Sequence, residues 1–251
     1  MPRYFIEVSY RGTTFSGFQS QQNANTVQAE IEKAYQVIQK EPVIMTGSSR
    51  TDTGVHALQN FLHFDTLVPI EGGIGTAALA YKLNAILPDD IVIQSIRLVP
   101  DLAHSRFDAI ARHYNYHIYQ HKNPFLKDTA FFFPYKLDLE KMEQAATILK
   151  EYTDFTSFSK RNTQVKTFQC QIIESNWFTK DNCLIYNVKA NRFLRGMVRA
   201  LTATMLKVGR GKVSIDEFRD IIEAKDCTKA SFAVPPHGLF LMHVLYNNNP
   251  G

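Results

Sequence analysis

Apolar and polar positions alternate along Arg3–Tyr10, with Tyr4, Ile6, Val8 and Tyr10 on one face, which predicts a half-buried strand. A polar loop over 11–24 follows and carries Gly12 and Gly17. Asn25 with Gln28 three residues on reads as a helix start, and Val27, Ile31, Ala34 and Ile38 continue at helical spacing until Pro42. Residues 43–45 are a short strand candidate leading into a loop over 47–54, and 61–66 alternate again as a strand. A helix is predicted over 77–85 and strands over Ile91–Val99 and 113–120. Leu139, Met142, Ala146 and Leu149 make a helical stripe. Residues 169–178 and Cys183–Ala190 read as a hairpin turning through Lys180-Asp181-Asn182. Leu194, Val198, Leu201, Met205 and Val208 mark another helix, Ser214 with Glu217 a capping box before a further one, and Leu239–Tyr246 a last strand.

Strands and helices mix without strict alternation, and neighbouring strands are joined by short turns. That pattern predicts an α+β fold with a mainly antiparallel sheet. Both halves have strands flanking amphipathic helices, so two related halves are expected, 1–104 and 105–251, with 100–108 as the boundary segment. A length of 251 residues, 45% hydrophobic and 21% charged, excludes wholesale disorder. The net charge of +4 is compatible with a nucleic-acid partner. Cys170, Cys183 and Cys227 form no Cys-x-x-Cys pair, which argues against a disulfide framework and against a cysteine zinc cage. No basic and then apolar leader opens the chain, and the charge-free tail over 231–251 is broken by Pro235-Pro236 and the asparagines 247–249. A cytoplasmic protein without a membrane span is therefore expected.

The segment Gly47-Ser48-Ser49-Arg50-Thr51-Asp52-Thr53-Gly54-Val55-His56-Ala57 is short, polar and bounded by glycine, between two strand candidates. Loops carried by rigid elements are where chemistry concentrates. Asp52 stands between Arg50 and His56, and a guanidinium beside a carboxylate favours its charged form. An ionised Asp is a candidate nucleophile or general base; the bland alternative is a turn with a surface ion pair. Asp-Thr-Gly also marks aspartic proteases, but these need two facing carboxylates and the triplet occurs once.

Residues 189–212 hold seven cations, Lys189, Arg192, Arg195, Arg199, Lys207, Arg210 and Lys212, and no Asp or Glu. Arg195 and Arg199, four apart on the expected helix, would project from one side toward a phosphate backbone. Lys160, Arg161 and Lys166 near Phe155 and Phe158 suggest a surface for unstacked bases. His113, His117 and His121 recur every four residues, but on a strand that spacing spans roughly 13 Å, too far to share one ion. No metal is expected.

Taken together, the chain resembles the tRNA pseudouridine synthase A family over nearly its whole length. The stretch 47–57 is similar to that family's Gly-Arg-Thr-Asp-Ala-Gly-Val-His loop and 10–21 to its Tyr-Asp-Gly…Gly-Trp-Gln segment. Leu83-Asn84-x-x-Leu87-Pro88, His104-x-Arg106-Phe107 and Ala111-Arg112-x-Tyr114-x-Tyr116 match in turn. So do Asp154-Phe155-Thr156-Ser157-Phe158, Asn191-x-Phe193-Leu194-x-x-Met197-Val198-Arg199 and Gly238-Leu239-Phe240-Leu241. The departures are Arg11 for aspartate, Phe18 for tryptophan, Ser49 for glycine and Thr53 for alanine.

The resemblance implies a pseudouridine-synthase fold of two pseudo-symmetric halves, the second carrying a basic RNA-binding helix. It implies isomerisation of uridine to pseudouridine at positions 38, 39 and 40 of the tRNA anticodon arm, by a homodimer with no cofactor. Asp52 is then the nucleophile, Arg199 the arginine paired with it, and Arg50 a holder of the loop. Tyr114 stacks on uracil, Leu239 walls the pocket, and Arg195 and His56 join the substrate-binding set. A non-catalytic tRNA-binding protein on the same scaffold is the competing expectation.

Overall fold

The opening alternation produces the strand it predicts: β1 (Arg3–Tyr10) forms in a computed structural model that describes residues 1–67, 69–70, 73–161 and 165–247. Its burial follows the expectation of a half-buried strand: Tyr4, Ile6, Val8 and Tyr10 are all buried, while Arg3, Glu7 and Ser9 on the other face are only partly covered. β1 lies between β3 (His56–Asp65) and β4 (Ile91–Val99), antiparallel to both. On its second face the Phe5 ring packs 6.3 Å from Phe61 and 5.8 Å from Tyr246. Phe5 is thus the one buried side chain on a face that otherwise carries the polar Arg3, Glu7 and Ser9.

α1 (Val27–Gln39) is capped by Thr26, whose hydroxyl accepts from the Ala29 N–H, one residue later than expected. Its Tyr35 ring meets Phe64 edge-on at 5.1 Å, on the face that also holds Tyr4. α2 (Thr76–Asn84) ends in a side chain that pairs twice with Ile93 of β4: Asn84 Nδ2 donates to its carbonyl at 2.9 Å and Asn84 Oδ1 accepts from its N–H at 2.7 Å. The short strand expected over 43–45 forms instead as β2 (Thr46–Gly47), paired with β3.

Later in the chain β5 (Ala109–Tyr119), β8 (Cys183–Ala190) and β7 (Ile172–Lys180) pair in that order within the same sheet, with β8 central and antiparallel to both neighbours. β6 (Phe131–Phe132) runs parallel to β5 and makes this sheet mixed. The β7–β8 hairpin turns through Asp181 and Asn182, both left-handed at φ 49° and 61°, as a two-residue turn between twisted strands requires. Three helices follow the sequence pattern: α3 (Leu139–Ile148), α4 (Met197–Gly209) and α5 (Ile215–Glu223), the last with its capping box formed.

α4 is largely a core helix, and its two residues that are not buried are the basic Arg199 and Lys207. Eleven of its thirteen residues are buried, and Thr202 and Thr204 turn their hydroxyls inward to the Val198 and Ala200 carbonyls at 2.8 Å. It begins after Gly196, left-handed at φ 73°, so Arg195 sits in the preceding turn and shares no helix face with Arg199. Phe155 and Phe158 are also core residues, fully buried beside Phe218, and offer no stacking surface.

The chain divides into two compact units, Met1–Ile110 with Leu241–Gly251, and Ala111–Phe240. The division falls within β5 rather than at 104, and β9 (Leu239–Tyr246) passes from the second unit's residues to the first's at Leu241, where it lies beside β3. The two units share a connectivity. The central strand of each is followed by a helix of thirteen residues, β1 by α1 and β8 by α4. With five α-helices among the described residues and a mainly antiparallel sheet, the fold is α+β. Among the described residues no helix is long and apolar enough to cross a membrane; Asn248 and Asn249 of the expected polar break lie outside them.

The segment after β4 covers His63 of β3. Ser105 donates its N–H to His63 Nδ1 at 3.3 Å, and its hydroxyl lies 2.8 Å from the same nitrogen and from the Thr46 carbonyl. Burial, then the neighbouring His104, pushes His63 down to about 4. Below a pH of about 6.5 an unfolded chain protonates this imidazole while the folded one does not. Its contribution to stability is full above that pH and drains as pH falls toward 4. His63→Asn is expected to flatten that stretch of the profile, checked by denaturant unfolding at several pH values from neutral to 4; an unchanged slope would contradict it.

Candidate active site

A reactive carboxylate on a loop needs that loop held still, and the loop over 48–56 is held from inside. Asn60, fully buried in β3, is its hub. Its Oδ1 accepts from the Ser48 hydroxyl at 2.7 Å, and its Nδ2 donates to the Ser49 carbonyl at 3.1 Å and to the Tyr10 hydroxyl at 3.3 Å. That hydroxyl shares a 2.8 Å hydrogen bond with Thr51 Oγ1, immediately before Asp52. The backbone is tied as well, because Phe18 donates its N–H to the Thr51 carbonyl at 3.1 Å. A tight turn follows in which the Val55 N–H reaches the Asp52 carbonyl at 3.1 Å, with Gly54 left-handed at φ 79°. Asp52 is half-buried, Arg50 and Thr53 are exposed, and Ser48, Ser49 and Thr51 are buried.

Two glycines set how closely the neighbouring segment approaches. A Cβ at Gly12 would stand 2.0 Å from the Val55 carbonyl oxygen, and one at Gly47 would stand 2.2 Å from the Phe18 ring. At that close approach the Gly12 N–H donates to His56 Nδ1 at 3.1 Å. His56 is only 1% exposed. The imidazole expected in the substrate-binding set is thus buried, with its Nδ1 accepting from backbone.

Arg50 borders a small cleft, about 80 Å³, lined also by Phe18, Gln19, Gln28 and Gly47. α1 holds its rim. Gln28 Nε2 donates to the Met45 carbonyl at 2.7 Å, and Glu32 accepts from the Met45 N–H at 2.9 Å and the Ser20 hydroxyl at 2.9 Å. The departures from the family pattern are accommodated locally. Phe18 fills its place beside Tyr10 with rings 5.6 Å apart, Arg11 lies 3.9 Å from Asp90, and Thr53 points outward. Ser49 keeps its hydroxyl buried without a hydrogen-bond partner.

The second unit carries Tyr114, Arg195, Arg199 and Leu239. Arg199, half-buried on α4, donates from Nε and Nη2 to the Val234 carbonyl at 3.0 and 2.7 Å, a fork that fixes the guanidinium plane. One residue on, the Pro235 carbonyl accepts from the Tyr116 hydroxyl at 2.7 Å. Tyr116 lies two residues from Tyr114 on the same face of β5, and its ring would touch a Cβ at Gly238 at 2.8 Å. Tyr114 is half-buried, edge-on to Phe193 at 5.1 Å, and Leu239 is buried. Arg195 is exposed, with its carbonyl accepting from the Lys160 N–H at 3.0 Å. Lys207, Arg210 and Lys212 are exposed, whereas Lys189 is engaged by Glu174 at 3.2 Å.

His113 bonds Asn187 of β8 and His117 packs on Phe240 at 4.7 Å, so both serve the sheet. Among the described residues no three His, Cys, Asp or Glu side chains are grouped to hold a metal ion. Burial pushes the Cys170 thiol up to about 11, away from thiolate chemistry.

Sequence reasoning missed Tyr10 and Asn60. The available signal was a single asparagine preceding the apolar run of a strand, where an unpaired amide would be costly. Gly12→Ala is expected to cost about 1–3 kcal/mol by forcing residues 54–56 away from β1, read by denaturant unfolding. Parental stability in that variant would show that the segment yields.

A family model described as tRNA pseudouridine synthase matches residues 6–108 and 149–247. These stretches include Asp52 and Arg199, while Tyr114 falls between them. A protein named tRNA pseudouridine synthase A from Parabacteroides distasonis is 46% identical over 246 residues, 98% of this chain and 96% of that protein. One of the same name from Porphyromonas gingivalis is 44% identical over 248 residues, 98% of each. One from Staphylococcus aureus is 37% identical over 249 residues, 98% of this chain and 92% of that protein.

Proposed function

Because the chain belongs to the tRNA pseudouridine synthase family, and is thus an isomerase acting on tRNA uridine, we propose that Asp52 is its reacting carboxylate and the anticodon arm, at positions 38, 39 and 40, its target. What carries the reading of Asp52 is the loop itself: a half-buried carboxylate in a segment pinned at Thr51 and Asp52 by backbone and at Ser48, Ser49 and Thr51 through Asn60 and Tyr10. The choice of positions rests on the resemblance, as do a homodimeric state and a cytoplasmic location.

The reaction breaks the bond between uracil N1 and ribose C1′, turns the base, joins C5 to C1′, releases the C5 proton and leaves N1 protonated in its place, so the product is an isomer of the substrate. A base in a stem or loop leaves its stack to reach a side chain. Asp52 supplies an anionic oxygen, at C1′ or at uracil C6, or takes a sugar proton on a glycal route. Arg50, exposed at the cleft rim, holds the loop and meets the extruded nucleotide. Tyr114 offers a ring face to uracil and a hydroxyl for the C5 proton. Leu239 is an apolar wall, and Arg199 keeps the role the resemblance gives it, oriented by the Val234 carbonyl. Arg195 and Lys207 serve the phosphate backbone as exposed cations.

Asp52→Asn is expected to abolish tritium release from tRNA carrying 5-³H-uridine while leaving tRNA binding within about threefold. Retained turnover would refute the assignment, and a parental chain that binds without releasing tritium would have only the binding role. Arg195→Ala or Lys207→Ala is expected to lower the slope of log affinity against log salt by about 1 for each phosphate that is no longer neutralised; an unchanged slope would make both merely solvated cations.

A further inference from the structure

We propose that Tyr10 and Asn60 are positioning residues for the isomerisation, acting through the Thr51 hydroxyl to set where Asp52 stands. The inference rests on the reading of Asp52 as the reacting carboxylate. Three observations carry it.

First, the Tyr10 hydroxyl lies between two partners, 2.8 Å from Thr51 Oγ1 and 3.3 Å from Asn60 Nδ2, so it joins the loop to the interior of β3. Second, the amide of Asn60 has a defined orientation. Its Oδ1 faces the Ser48 hydroxyl at 2.7 Å and the Phe61 N–H at 3.0 Å, and its Nδ2 faces the Ser49 carbonyl at 3.1 Å. Third, the arrangement lies in the buried interior, with Tyr10, Ser48, Thr51 and Asn60 all covered.

Packing does not require these polar atoms. Phenylalanine at 10 and valine at 51 would fill nearly the same space, and burying hydroxyls and amides is costly unless every one is satisfied. Hydrogen bonds add direction, which packing does not. Thr51 and Asp52 have Cα atoms about 3.8 Å apart, so a hold on the Thr51 side chain is passed to Asp52 through one peptide plane. Displacing a reacting group by about 1 Å can cost about a hundredfold in rate.

The test uses the full chain and unmodified tRNA transcript, with Tyr10→Phe, Thr51→Val, Thr51→Ser and Asp52→Asn compared by kcat, KM, tRNA affinity and thermal unfolding. Tyr10→Phe and Thr51→Val are expected to lose tenfold or more in kcat, with KM and tRNA affinity within about twofold and the variants still folded at the assay temperature. Thr51→Ser, which restores the hydroxyl, is expected to recover most of that loss. A role confined to stability would lower the unfolding temperature and leave kcat in place. Parental kcat in folded Tyr10→Phe or Thr51→Val, or a Thr51→Ser as slow as Thr51→Val, would overturn the proposal. Should Tyr10→Phe not fold, the serine and valine pair at 51 still decides. Inactive Asp52→Asn beside fully active Tyr10→Phe and Thr51→Val would sink this inference alone, whereas active Asp52→Asn would sink the reading beneath it.

Discussion

A short polar loop that carries a half-buried carboxylate, Asp52, faces a conflict. Its backbone groups want water, yet water-exposed loops move. Here the conflict is resolved by buried hydrogen bonding. Asn60 satisfies Ser48 and Ser49, Tyr10 satisfies Thr51, and Phe18 satisfies the Thr51 carbonyl, so the loop is immobilised by its own polar groups. The elements of the first unit follow from that need. β1 must end where Tyr10 reaches Thr51, β3 must place Asn60 inward, and residues 12 and 17 must be glycines because the loop backbone passes too close for a side chain at 12 and the chain is left-handed at 17.

The second unit applies the same economy to a cation. α4 is a core helix whose burial leaves Arg199 half-buried and Lys207 exposed. Its guanidinium does not sweep through solvent, because two of its nitrogens are committed to the Val234 carbonyl and the next carbonyl is committed to Tyr116. A guanidinium oriented this way loses little freedom when it meets an anion. The exposed cations are Lys207 of α4 with Arg195, Arg210 and Lys212 on either side of it, where long-range attraction to a polyanion would need charge rather than geometry.

The departures from the family pattern show which positions bear on this arrangement. Thr53 in place of alanine faces outward and changes nothing in the turn beyond its surface. Phe18 in place of tryptophan still fills the space against Tyr10 and Gly47. Ser49 in place of glycine is different, because its hydroxyl is buried without a partner next to a carbonyl that Asn60 holds.

The sequence by itself determined the elements and the identity of the loop. Alternation gave β1, β4 and β9 to the residue, Asp181-Asn182 gave a hairpin that only left-handed residues can turn, and Ser214 with Glu217 gave the start of α5. These are local properties, set by neighbours a few positions apart. Tertiary structure alone decided what each element faces. It packed most of α4 into the core, moved Arg195 off that helix at Gly196, and took His56, Phe155 and Phe158 inside. It also joined Tyr10 to Thr51 and Asn60, 41 and 50 positions away along the chain. Burial and hydrogen-bond partners are properties of the packed chain, so no window of sequence contains them.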